Sequence, residues 1–175
     1  MLTLGPPRHD MTCSGCGQRP EGFAPLDAVA EARVLQRRCE SLLRHPEVSL
    51  RRRGPQPGSW SAMEPAARVS DALGIANHRL RELLGEEGVP PNAPIGSPTP
   101  HLAPWELLAS LAENVSHLTA TIDGATAEDW YRPRPDGPTA RQLVWLALHD
   151  AIHHLEDAEL LGIKAALAAT TQAPR

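Results

Sequence analysis

The chain has 175 residues, a net charge of −4 at neutral pH and three cysteines. That length supports one domain with a single core of three or four packed helices, and the mild acidity excludes a nucleic-acid footprint, since the one dense basic run, Arg51-Arg52-Arg53, lies in a Gly/Pro-rich stretch. No run approaches the ~20 apolar residues of a membrane span, and an odd cysteine count argues against a disulfide framework and for reduced thiols or a bound metal.

The opening residues, "MLTLGPPRHD", lack the charged and apolar segments of an export leader, so a soluble, cytoplasmic protein is expected. Met11 opens "MTCSGCG" and offers an alternative translation start. That stretch carries Cys13-Ser-Gly-Cys16-Gly17, the spacing of a zinc knuckle, in which the glycine permits a tight turn and two thiolates clasp one tetrahedral ion. Two further ligands have to come from elsewhere in the chain. Inert thiols remain an alternative, and a redox-active pair is a weaker one because the thioredoxin-like βαβ context is missing.

Prolines and glycines then divide the chain into segments whose apolar residues recur at three- and four-residue spacing, the helical period. A first helix is predicted from Leu26 to Leu43, with Val29, Ala32, Leu35, Cys39 and Leu42 as its apolar stripe, stopped by Pro46. The second opens at "SWSAME", where Ser61 and Glu64 form a capping box and Trp60 staples the chain entry. Ala62, Ala66, Val69, Leu73, Ala76 and Leu80 share its inner face, and Gly85 ends it. Six prolines from Glu86 to Pro104 inclusive predict an extended crossing without regular structure. A third helix follows from Pro104 to Asp123, with Leu108, Leu111, Val115, Leu118 and Ile122 inward. A short capping box joins Thr126 to Asp129. The fourth long helix starts at Thr139, boxed with Gln142, and is predicted to run to Leu161 before Gly162, with Leu146, Ile152 and Leu160 on its buried side. The organisation expected is thus a tail with a CxxC hook (1–25), a helical bundle (26–162) and a flexible C-terminal tail (163–175).

The fourth helix contains "LHDAIHHLED". His149 and His153 stand four apart, one turn above the other on one face, which is the spacing that lets one helix chelate a divalent metal; a solvated histidine-rich turn is the plainer alternative. Asp150 and His154 form the adjacent stripe and are candidates for supporting the ligands or carrying protons. Arg68 and Asp71, three apart on the second helix, read first as an ordinary ion pair. His9, His45, His78, His101 and His117 are isolated, with His117 a candidate for the bundle interior, and Cys39 reads as a small core residue.

"GSWSAMEPAARVSD" followed some eighty residues later by "LHDAIHHLED" resembles the DinB-like superfamily, in particular an actinobacterial branch that also carries an N-terminal CxxCG. The resemblance runs from Cys13 to about Asp157 and is strongest at Trp60-Ser61-x-x-Glu64 and His149-Asp150-x-x-His153-His154. It implies an all-α, up-down-down-up four-helix bundle, a divalent metal, often zinc or nickel, held by one histidine of helix two and the HxxxH pair of helix four, and thiol-dependent activities such as maleylpyruvate isomerisation or transfer with mycothiol, bacillithiol or glutathione. Carried over, His149 and His153 become metal ligands. Where the family pattern has its helix-two histidine, this chain reads Ala67-Arg68-Val69-Ser70-Asp71, and arginine has no lone pair for a cation.

Three outcomes are open: zinc held by Cys13, Cys16, His149 and His153; a metal-free site in which Arg68, held by Asp71, orients an anionic substrate while helix-four histidines move protons; or a degenerate bundle. The preferred expectation is an enzyme acting on a small polar or anionic metabolite by thiol transfer, isomerisation or cyclisation, as a tailoring step in specialised metabolism. Its site would use zinc, with a low-molecular-weight thiol such as mycothiol as a candidate cofactor, and Arg68, Asp71, Asp150 and His154 in catalytic roles. The alternative is a non-catalytic zinc-stabilised bundle that binds a ligand or a partner protein. A homodimer is compatible with both.

Overall fold

The computed structural model describes residues 11–44, 63–86, 103–135 and 137–171. Among these every named element is helical: α1 (Pro25–Leu43), α2 (Met63–Leu83), α3 (Pro104–Gly124), the single turn-and-a-half α4 (Ala127–Tyr131) and α5 (Ala140–Thr171). The four long helices build an all-α bundle in which α1 and α2 each pack against both α3 and α5 and meet one another only slightly.

Local chemistry explains most of the boundaries. α1 and α3 begin with proline in the first turn, where a missing N–H costs nothing. In each, a carboxylate three residues past the cap reaches back to a free N–H: Asp27 accepts from Ala24 at 2.9 Å and Glu106 from Ala103 at 2.6 Å. Alanine supplies no return bond, so each is half of a capping box. The full boxes are at Thr126/Asp129 and Thr139/Gln142, as the spacing predicts, with the Thr139 hydroxyl accepting from Gln142 N–H at 3.1 Å. α2 closes in a Schellman turn, with Gly85 N–H bonded to the Glu82 carbonyl, Glu86 N–H to that of Arg81, and Gly85 at φ +88°. The expected Trp60–Ser61 entry of this helix, with Pro46, His9, His45, His101 and most of the proline-rich connection, lies outside the described residues.

The core is formed by Leu35, Leu43, Val69, Leu73, Leu80, Leu107, Leu111, Leu118, Ile122, Leu148 and Leu155, with Trp130 of α4 buried among them. A polar seam crosses the α2–α3 contact, where Asn114 donates to both the carbonyl and the hydroxyl of the fully buried Ser70 at 3.0 and 2.9 Å, satisfying groups that burial would otherwise penalise.

Four expectations need correction. α5 does not end before Gly162 but continues to Thr171, so most of the segment read as a flexible tail is helical; an interior glycine costs only about 1 kcal/mol, and the alanine-rich sequence beyond it is a strong helix former. Leu146 and Leu160 are 44% and 53% exposed. At about 100° per residue they lie on the far side from Leu148, and the buried face is Val144, Leu148, Ala151 and Leu155. In α1 the last core contact is Leu43 rather than the partly buried Leu42, and His117 of α3 faces solvent.

Candidate metal centre

The N-terminal hook is a tight turn closed on itself. Cys13 N–H donates to the Gln18 carbonyl at 2.8 Å, Gly17 N–H donates back to the Cys13 carbonyl at 2.8 Å, and Gly17 takes φ +74°, a conformation that glycine adopts without strain. Gly15 N–H points at the Cys13 sulfur, 3.3 Å away. Further along, Phe23 is buried against the Trp130 ring, with centroids 6.5 Å apart, and its carbonyl accepts the Trp130 indole N–H at 3.1 Å. These contacts bring the turn down on the side of α5 that carries the two histidines.

There the four predicted ligands converge. The Cys13 Sγ lies 3.4 Å from His153 Nε2, the Cys16 Sγ lies 3.4 Å from His149 Nε2, and the two Nε2 atoms are 3.1 Å apart. All four donor atoms fall within 4.8 Å of one another, and among the described residues this is the grouping of Cys, His, Asp and Glu able to hold an ion. With Zn–S of about 2.3 Å and Zn–N of about 2.0–2.1 Å, a tetrahedral site has S···N edges of about 3.6 Å and an N···N edge of about 3.4 Å. Those three edges lie within a few tenths of an ångström of that polyhedron, and the residues present suit a borderline-soft divalent cation. Two thiolates would also balance its charge.

The imidazoles are held for that role. His149 is only 7% exposed and stacks on Trp145, with centroids 4.6 Å apart and planes 11° from parallel. His153 stands edge-on to it, its Nδ1 3.6 Å from Glu156 Oε2, a pairing that favours the proton on Nδ1 and leaves the Nε2 lone pair facing the sulfurs. Beside His149, hydrogen bonding to Cys13 together with the backbone N–H groups of Cys16 and Gly15 lowers the Cys13 thiol to about 6, so it is a thiolate at neutral pH. The third cysteine, Cys39, is the opposite case: burial pushes it up to about 12 and makes it inert.

Glu31 of α1 was not foreseen. It is half-buried, its carboxyl raised by desolvation and drawn back down by His149. Nothing in its local sequence distinguishes it from neighbouring acids; only the docking of α1 on α5 brings it near the imidazole.

Asp150 and His154 pair with each other at 3.4 Å on the next stripe of α5, with Asp150 exposed. Arg68 occupies an exposed position on α2 between buried Ala67 and Val69, and Asp71 is half-buried one turn on. A surface cleft of about 470 Å³ at the C-terminal ends of α2 and α3, lined by Leu84, Glu86, Thr121 and Asp129 among others, shares no residue with the quartet.

A family model of the DinB superfamily matches residues 27–158 of the chain, which spans the bundle from the first turn of α1 to beyond the paired histidines. The chain belongs to the DinB superfamily. No curated protein and no solved structure matches it. The matched region of this DinB-superfamily chain supplies His149 and His153, whereas Cys13 and Cys16 lie in front of it. Half of the ligand set thus belongs to the bundle and half to the segment that precedes it.

Proposed function

We propose that this chain is a zinc-clasped DinB-superfamily bundle, in which Cys13, Cys16, His149 and His153 hold one zinc ion that fastens the N-terminal hook to α5. The observation that carries this reading is the mutual approach of two sulfurs and two imidazole nitrogens at tetrahedral spacing. Four protein ligands leave no coordination position for substrate, which is the arrangement of a structural zinc site rather than a hydrolytic or Lewis-acid one. The clasped bundle then serves as a scaffold that binds a ligand or partner. No described helix is long and apolar enough to cross a membrane; a reducing cytoplasm is the compartment in which two free zinc-binding thiols persist.

Metal content of the untagged protein, measured by elemental analysis, tests the reading. Wild type should carry one zinc per chain, and both Cys13→Ser/Cys16→Ser and His149→Ala/His153→Ala should carry none. Zinc surviving in either double variant, or zinc absent from wild type, refutes the shared site.

The exposure of Cys16 favours a second reading. An incoming low-molecular-weight thiol could displace an exposed thiolate ligand, and the chain would then act in thiol transfer or isomerisation, with Arg68 orienting an anionic group, Asp71 holding Arg68, and Asp150 or His154 moving protons. Arg68→Ala separates the two readings: it abolishes turnover in the enzymatic one and leaves metal content, stability and ligand binding nearly unchanged in the structural one.

A further inference from the structure

The two thiols that fasten the hook are also the two that can react with each other. Cys13 and Cys16 sit on either side of one tight turn, their Sγ atoms within 4.8 Å, so rotation of the side chains closes the gap without moving the bundle. Cys16 is exposed, which gives a small oxidant access to its sulfur, and Cys13 is its immediate neighbour. The remaining cysteine, Cys39, is fully buried in α1 and cannot compete for the oxidant or for either partner.

The same sulfurs attach the turn to the α5 histidines, one to His153 and one to His149. A disulfide sulfur carries no negative charge and is no longer a metal ligand, so joining them removes both attachments in one event. What then still holds the segment is apolar contact at both of its ends, with Met11 packed against the core on one side and the buried Pro20 and Phe23, seated on Trp130, on the other.

We propose that Cys13 and Cys16 form a peroxide-driven disulfide that releases the metal and frees the turn from the α5 histidines, making residues 13–19 a redox-operated clasp between the packed Met11 and the buried Pro20. The inference rests on the zinc reading above. In the step, the Cys16 thiolate attacks one oxygen of hydrogen peroxide, the O–O bond breaks, and a sulfenic acid forms as hydroxide leaves and is protonated to water. The Cys13 thiolate then attacks the Cys16 sulfur, the S–S bond forms, the S–O bond breaks, and the departing hydroxide takes a second proton. Two thiolates lose two electrons, one peroxide gains two, and two protons are consumed in making two waters. Two neutral imidazoles are left as the only ligands, too few to retain the ion against solvent and chelators.

The test uses the full zinc-loaded chain. Zinc content is measured first; hydrogen peroxide is then added in the presence of a chromogenic zinc chelator, while free thiols are counted and the digest is mapped by mass spectrometry. One zinc should be released for each pair of thiols lost, the product should contain a Cys13–Cys16 crosslink with Cys39 still reduced, and amide exchange should rise in residues 13–19 but not in α5. Dithiothreitol with added zinc should reverse all three changes. Cys39→Ala should behave as wild type, and Cys16→Ser should form no crosslink. A chain that carries no zinc at the outset refutes the zinc reading itself. A chain that carries zinc but keeps it under peroxide, or loses it without a Cys13–Cys16 crosslink, overturns the redox clasp and leaves the zinc reading standing.

Discussion

Replacing Trp130 with Phe should loosen the hook without touching a ligand. Trp130 is fully buried, and its indole N–H donates to the Phe23 carbonyl at 3.1 Å. Phenylalanine keeps an aromatic ring at this position but cannot donate. The orphaned carbonyl costs about 1–3 kcal/mol, and the space left by the smaller ring adds about 1 kcal/mol. For a chain of this size each kcal/mol lowers Tm by about 2–4 °C, so the expected fall is on the order of 5–15 °C by far-UV circular dichroism. The share of that loss that acts on hook docking, about 1–2 kcal/mol, also weakens the metal site, since two of its ligands ride on the hook. Zinc affinity, measured by chelator competition, should fall roughly 5- to 30-fold. A Tm within about 2 °C of wild type would show that the bond does not anchor the segment. A lowered Tm with unchanged zinc affinity would show that α4 stabilises the bundle independently of the clasp, and the anchoring argument would fail.

Gly17→Ala should lower zinc affinity roughly 5- to 30-fold, because its φ of +74° costs a side chain about 1–2 kcal/mol even in open space; at Gly15, where an added Cβ meets Cys13 Sγ at 3.7 Å in ordinary contact, alanine should be tolerated, and equal effects at both sites would contradict the turn geometry. In metal-free protein, alkylation of Cys13 should titrate with a midpoint of about 6 rather than 9, while Cys39 stays unmodified until the chain unfolds. Because the depressed acid is the folded one, the thiolate's support for the docked hook is complete above about 9, diminishes below it and is gone once pH falls through about 6; amide exchange of the hook across that range checks the sign. The bidentate pair from Arg38 to Glu159, at 3.1 and 2.8 Å and partly solvated, should give a coupling of about 1 kcal/mol in a double-mutant cycle that shrinks with salt. A coupling indistinguishable from zero would show that this ion pair contributes nothing to the contact between α1 and α5.

The helices were legible because their period, their prolines and their caps agree: Thr126/Asp129, Thr139/Gln142 and Gly85 each ended up doing what their residue types favour. The far end of α5 was not, since a lone glycine is a weak stop when helix formers follow it. Hydrophobicity without helical angle places Leu146 and Leu160 inward, whereas both are exposed. At the centre, CxxCG and HxxxH each announced half of a ligand set, and tetrahedral coordination demanded that the halves meet. Glu31 and Trp130 could not be picked out this way, because their significance comes from contacts across the fold, to His149 in one case and to Phe23 in the other.

The centre joins positions 140 residues apart in the chain. Synthesis delivers the cysteines first and the histidines near the end, so the ion has no complete site until the final helix has emerged and packed. Closing so long a loop is slow unless the intervening chain has already collapsed. The bundle therefore assembles with its leading segment loose, and capture of the ion is the last event of maturation. A newly made chain that meets no zinc would be a folded bundle whose Cys13 and Cys16 stay open to alkylation and oxidation, and the cell's metal supply would decide how long it stays that way.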